Sequence, residues 1–208
     1  MNAMKASKLI LFLASLVVLL AGCTFEMIQQ SDDTSLYRGQ SLNLAVIGDP
    51  PIVREKHVTF TEITFEDLKR GAELASHYDA VFIMKEHLRE AAEGQYAKMY
   101  GETRLPIFFV ESKQPAAFFT LEDVEYGTFA DINPHMYISG FLLHPEDQPG
   151  GDPPVMARQD WGITLDIVNS TNIKAAYSWV FETIASINNE RTKERPHRKS
   201  PGKAAFST

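Results

Sequence analysis

Short apolar runs alternate through the middle of the chain with stretches whose apolar residues recur at steps of three and four. The run 42–48 (LNLAVIG) reads as a strand, stopped by Gly48-Asp49-Pro50-Pro51. Residues 57–63 (HVTFTEI) alternate with the β period and predict a second strand. Thr64 and Asp67 stand at capping-box spacing, with Asp in the place more often held by Glu or Gln. The helix they open is expected to bury Leu68, Ala72 and Ala75. Residues 79–84 (DAVFIM) predict a buried strand. Over 85–100, Leu88, Ala91, Ala92, Tyr96 and Met99 predict one amphipathic helix stopped by Gly101. Residues 105–110 (LPIFFV) follow as a strand, with Pro106 near its start, where proline is tolerated.

The later part is less regular. Residues 114–125 read as a short helix or an irregular crossover. Residues 136–144 and 161–168 both read as strands, forming either a long-looped hairpin or separate additions to the sheet. The stretch 145–154 between them is too rich in Pro and Gly for regular structure. Ile173, Ala176, Tyr177, Val180, Ile184 and Ile187 mark a final helix with Trp179 alongside, its entry capped by Ser170, Thr171 or Asn172. Strands alternating with helices over short links are the signature of βαβ units, and almost fully apolar strands are expected where helices cover both faces. The expected fold is therefore α/β: a three-layer, mostly parallel sheet with helices on both faces and a C-terminal amphipathic helix. The strand order stays open, and no internal repeat is visible.

The first segment has a different pattern. Lys5 and Lys8 precede an apolar run over 9–20, which as a helix covers roughly 18 Å, short of a hydrocarbon core of about 30 Å. That is the pattern of an export signal rather than a membrane span. It ends in Leu20-Ala21-Gly22-Cys23. Here the sequence resembles bacterial lipoprotein precursors, whose lipobox ends in the same four residues. The resemblance covers residues 1–23 and implies diacylglycerol on the Cys23 thiol, cleavage before Cys23 and acylation of the new amino terminus. Two or more acyl chains give stable attachment where one is marginal. The expected setting is the extracytoplasmic face of the cell membrane. Thr24 is not the Asp that goes with retention at the inner membrane of a two-membrane cell.

Composition adds organisation. The 208 residues hold 20 Lys+Arg and 27 Asp+Glu, a net charge of −7, and 44% are hydrophobic, which suits one packed domain. The expected division is a signal peptide over 1–22, the lipidated Cys23 with a polar tether over 23–40, a single domain over 41–189 and a basic tail without structure over 190–208. The tail carries an excess of four positive charges on an acidic body. It reads either as a solubilising tail or as a contact for anionic lipid or anionic wall polymer. The acidic balance argues against a nucleic-acid partner. A single cysteine excludes a disulfide framework and, being the lipidation site, leaves no thiol nucleophile.

Candidate chemistry is placed by the rule that ligands of open parallel sheets bind beyond the carboxyl ends of the strands. That points to Asp49, to Lys85 with Glu86 and His87, and to Glu111 and Ser112, which follow three apolar runs. They could supply a carboxylate pair with a cation between. The plain alternative is that strands end where polar residues begin, and Asp49 is also a good turn residue. Asp131, His135, His144, Glu146, Asp147 and Asp152 form a second polar group, but their spacing fits no familiar metal motif, and neither a metal nor a cofactor is expected. Phe118, Phe119 and Tyr126 in the crossover could line a sugar- or peptide-binding surface, although aromatics at such density usually form core. There is no GxSxG elbow, no GxxxxGK[ST] loop and no GxGxxG after the first strand. Asn169-Ser170-Thr171 matches a glycosylation pattern but is better explained as a helix cap.

These observations point to a membrane-anchored extracytoplasmic lipoprotein that works by binding, as an accessory module of the cell envelope, with an envelope protein or anionic polymer as partner. Two alternatives stand beside it: an envelope hydrolase using carboxylates such as Asp49 and Glu111, and a small ligand-binding component of a transport system.

Overall fold

The computed structural model describes residues 36–121, 126–127, 131, 133–145 and 156–194; the lipobox, most of the tether and residues 195–208 lie outside them. The fold is a six-stranded mixed sheet in the order β2-β1-β3-β4-β5-β6, with helical segments between strands. β1 (Leu42–Ile47), β2 (Val58–Glu62), β3 (Ala80–Ile83) and β4 (Ile107–Val110) are parallel. β5 (Met136–Pro145) and β6 (Met156–Thr164) are antiparallel, so the last two strands form a hairpin that also extends the sheet. β6 begins five residues before the apolar stretch at 161–168. It is an edge strand, and the polar Arg158, Gln159 and Asp160 hide its β character in the sequence.

Alternate residues of each strand enter two hydrophobic clusters. Leu44, Val46, Phe82, Phe108 and Val110 share one with Ala176, Tyr177, Val180, Phe181 and Ile184 of the final helix, α3 (Ser170–Glu194). Ala45, Ile47, Val81, Ile83 and Phe109 share the other with Phe65, Leu68, Leu74, Leu88, Ala91 and Tyr100 from the segments linking β2 to β3 and β3 to β4. The β1–β2 link instead contributes Val53 to the first cluster. Direction along the sheet and the face crossed reverse together, so the three crossovers share one hand.

Local structure departs from expectation in four places. The capping box forms: Thr64 Oγ1 accepts the Asp67 N–H, and Asp67 Oδ2 accepts the Thr64 N–H at 2.8 Å. The segment it opens, Phe65–Ser76, is 3₁₀ rather than α and is broken at Gly71 (φ 55°, ψ −131°). Three residues per turn align Phe65 and Leu68 before the break, and Leu74 follows it; all three are buried, while Ala72 and Ala75 are exposed. The helix expected over 85–100 is instead a 3₁₀ turn (Lys85–His87), α1 (Leu88–Ala91) and α2 (Gly94–Thr103). α2 passes Gly101, where a side chain would crowd Leu143, and stops at Arg104 with φ 56°.

The crossover over 114–125 contains a 3₁₀ turn, Ala116–Thr120. The cap of α3 is Asn169, one residue before the expected ones: its Oδ1 accepts the Asn172 N–H at 2.8 Å and its carbonyl accepts the Ile173 N–H at 2.9 Å. α3 then runs through Glu194, beyond the expected domain end at Asn189.

Candidate functional site

The order β2-β1-β3 means that the chain leaves β1 in one direction along the sheet and returns in the other, so the carboxyl ends of β1 and β3 form the switch point at which open sheets of this kind have their ligand crevice. Gly48 closes β1 at φ 106°, a conformation that L side chains rarely adopt. A Cβ there would collide with the Glu86 carboxylate and lie 2.9 Å from Met84 Cβ and 3.0 Å from His87 Cδ2. The absent side chain lets the β1 turn sit against the segment after β3, and the Asp49 N–H donates to Glu86 Oε1 at 3.2 Å.

Across the next strand, Lys85 Nζ lies 3.1 Å from Glu111 Oε2, so the second residue after β3 and the first after β4 are joined by an ion pair. Glu111 itself has φ 56°. A non-glycine residue there costs of order 1 kcal/mol or more, and such positions cluster at functional sites. Ser112 turns inward: it is buried, its hydroxyl donates to the Gln114 carbonyl at 2.9 Å and accepts the Gln114 N–H at 3.2 Å, and Tyr126 also bonds to it. Of the four residues singled out in the sequence, Lys85 and Glu111 touch. Asp49 joins through its backbone to Glu86, and Ser112 shapes the turn that carries Glu111.

Two tyrosines complete the place. Tyr137 opens β5 beside the end of β4, and Tyr177 comes from α3; their hydroxyls share a hydrogen bond. Burial pushes the Tyr177 hydroxyl far above the ordinary tyrosine range, helped by Tyr137 and by the negative charges of Glu111 and Glu86. Burial and the Glu111 charge raise Tyr137 as well. Two carboxylates, one ammonium and a tyrosine pair therefore share this edge of the sheet. In the sequence Glu86 appears only as a neighbour of Lys85. Tyr137 and Tyr177 look like core residues, because nothing local says that β5 starts where β4 ends.

The other candidates separate. Asp131 lies 3.4 Å from Lys113, and His135 lies 3.8 Å from Asp166. The His144 side chain, Glu146, Asp147 and Asp152 fall outside the described residues. Among the described residues, no group of three or more His, Cys, Asp or Glu is arranged to hold a metal ion. Phe119 is core rather than a binding surface: it is buried and stacks on Phe109 with centroids 3.6 Å apart and planes 7° apart. An open groove of 420 Å³ lies at the opposite end of the sheet, lined by Gly39, Gln40, Glu182, Ala185, Ser186 and Asn189, none of them singled out in the sequence. Among the described residues, no helix is long and apolar enough to cross a membrane. Comparison of the chain with protein-family models, with curated proteins and with solved structures finds no match.

Proposed function

We propose that the protein is a lipid-anchored module on the outer face of the cytoplasmic membrane, which binds a polar ligand at the β1/β3 crevice and does not turn it over. The anchor rests on Leu20-Ala21-Gly22-Cys23 at the end of the apolar run. The two hydrophobic clusters on opposite strand faces support a three-layer arrangement, with α3 as an amphipathic cover on one side. The observation that carries the binding site is the Lys85–Glu111 ion pair, with Glu111 held at φ 56° on the edge where such sheets take their ligands.

The groups at this edge suit a ligand with hydroxyl or amino groups to donate and an acceptor for Lys85. Glu111 is engaged by Lys85, and this contact favours recognition over hydrolysis by an Asp49–Glu111 pair.

Thermal unfolding against divalent metals, nucleotides, sugars, wall fragments and short peptides tests the reading. A ligand at 100 times its Kd adds about 2.7 kcal/mol, and 1 kcal/mol moves Tm by about 2–4 °C in a domain of this size. A shift that disappears in Lys85→Ala and Glu111→Ala supports the crevice. A shift that survives both substitutions removes it. No shift across the panel overturns small-ligand binding in favour of a protein partner. The mass of the mature protein tests the anchor: diacylglycerol on Cys23 is expected, and an unmodified thiol overturns it.

A further inference from the structure

The groove of 420 Å³ lies between the segment that leads into β1 and one face of α3. Gly39 and Gln40 line it on the first side. On the second, Glu182, Ser186 and Asn189 follow at steps of four and three, which sets them in one row along the helix over roughly 10 Å. Small residues keep the groove open. Ala185 is buried, and a Cβ at Gly39 would lie 2.5 Å from Tyr37 Cε2.

The entry segment is already fixed. The Tyr37 hydroxyl donates to the Gln40 carbonyl at 2.7 Å, the Tyr37 N–H donates to Glu55 Oε1 at 3.3 Å, and the ring stacks on His57 with centroids 5.2 Å apart. A wall held in this way lowers the ordering cost of binding. The side chains that face the groove are by contrast unengaged: among the described residues, no hydrogen bond or ion pair holds those of Gln40, Glu182, Ser186 or Asn189. The other hydroxyl and amide side chains of α3 between 178 and 192 all have partners. Ser178 bonds Glu55, Thr183 the Trp179 carbonyl, Asn188 the Asp79 carboxylate and Thr192 the Asn188 carbonyl.

The charge at the groove is negative. No Lys or Arg lines it, and the Glu182 charge is close enough to act on the Tyr37 hydroxyl, which burial first and then Glu182 and Asp79 push up to about 12. Asp79 is itself occupied by the Asn43 N–H and by Asn188. A single carboxylate is too few for a metal ion, which takes several oxygen ligands, but it suits an ammonium group. Two carboxamides and a hydroxyl can donate to and accept from hydroxyl groups.

We propose that this groove is a second binding site, separate from the β1/β3 crevice, for a linear hydroxylated amine, with the ammonium on Glu182 and the hydroxyls along Gln40, Ser186 and Asn189. Its volume falls within the range of small-molecule sites, roughly 300–1,000 Å³. The groove is open and its polar groups are exposed, so the expected Kd is of the order of 1 mM and rises with salt.

The test is a ligand-observed NMR titration of the full chain in detergent with glucamine, a linear six-carbon primary amine with five hydroxyls. Sorbitol keeps the hydroxyls without the amine, and hexylamine keeps the amine without the hydroxyls. Glucamine is expected to bind roughly fivefold more tightly than either. Glu182→Gln is expected to remove the preference over sorbitol. Ser186→Tyr, which fills the groove from an exposed helix position, is expected to abolish binding. Asn189→Ala adds no bulk and keeps the helix, and is expected to weaken glucamine but not hexylamine. Lys85→Ala is expected to change nothing, because the crevice lies at the other end of the sheet.

Equal binding of glucamine and sorbitol, or a preference that survives Glu182→Gln, overturns the ammonium contact. Equal binding of glucamine and hexylamine, or no effect of Asn189→Ala, overturns recognition of the hydroxyls. Binding that survives Ser186→Tyr, that is lost in Lys85→Ala or that does not occur at all overturns the groove as a site.

Discussion

The Glu55 carboxylate accepts a short hydrogen bond from the Ser178 hydroxyl across 123 positions of sequence, joining the β1–β2 link to the middle of α3. Glu55 is 4% exposed and also accepts the Arg54 N–H at 3.0 Å and the Tyr37 N–H at 3.3 Å. One buried carboxylate therefore gathers three donors from three parts of the chain. Glu55→Ala leaves those donors without their acceptor and should cost about 3 kcal/mol, whereas Ser178→Ala removes a hydroxyl that bonds Glu55 and the Lys174 carbonyl and accepts from Arg54, but leaves the buried carboxylate its two backbone donors, and should cost about 1 kcal/mol. In thermal unfolding followed by circular dichroism, Glu55→Ala should lower Tm by about 6–12 °C and Ser178→Ala by about 2–4 °C. Equal effects would show that the hydroxyl, not the backbone donors, dominates.

Gly48→Ala should disturb the crevice as well as the fold. The substitution asks for φ 106° in a residue with a Cβ and drives that Cβ against Met84, His87 and the Glu86 carboxylate. A loss of about 2–3 kcal/mol is expected from strain and crowding together. Any ligand shift found for the wild type should shrink in the variant by more than a general loss of stability explains, because Glu86 is displaced. Gly48→Ala unfolding at the wild-type Tm would contradict the geometry of this turn.

The capping box at Thr64 gives a defined acid limb. Hydrogen bonds from the Thr64 backbone, then from its side chain, hold the Asp67 carboxyl below its ordinary value. A group lowered on folding contributes stability above its unfolded pKa, near 4, and loses it as pH falls through the folded value. Asp67→Asn should therefore be less stable than wild type at neutral pH, and the difference should close on acidification below about pH 4. Stability measured by urea denaturation from pH 7 downward checks this. A gap that stays constant with pH would assign the loss to packing instead.

Alkaline stability should be governed by buried tyrosines. Burial first, then the charges of Glu182 and Asp79, push Tyr37 up to about 12. Burial raises Tyr100 and Tyr177 further, and the Tyr100 hydroxyl also donates to the Ala91 carbonyl at 2.6 Å. A hydroxyl whose pKa is raised on folding contributes stability that is complete below its unfolded value, near 10, and is lost as pH rises past it. Absorbance at the phenolate band should therefore rise in two steps, the second coinciding with loss of the far-ultraviolet helix signal. Tyr100→Phe should remove part of that second step. Complete ionisation with the fold intact would refute the burial.

The order of elements was readable because it is written in local pattern. Apolar runs over 42–48, 79–84 and 105–110 became β1, β3 and β4, and the Thr64–Asp67 spacing became a capping box. What failed locally had a tertiary cause. The 3₁₀ winding of Phe65–Ser76 and its break at Gly71 put Leu74 rather than Ala72 in the core. The polar Arg158 and Asp160 obscured β6 because an edge strand need bury only part of itself. At the site, Lys85 and Glu111 could be proposed from their places after apolar runs, yet their 3.1 Å contact required β3 and β4 to be neighbours.

By itself, the sequence determined the alternation of strands and helices, the α/β class and the resemblance at Cys23, since each is a property of neighbouring residues and of periods of two, three or four. Only the tertiary structure decided the strand order, the antiparallel β5–β6 end and the meeting of Glu86, Glu111 and Tyr177. The reason is physical: a strand's apolar pattern says that it must be buried, but many neighbours bury it equally well. The choice among them is made by crossover hand, loop reach and the summed packing of the whole sheet.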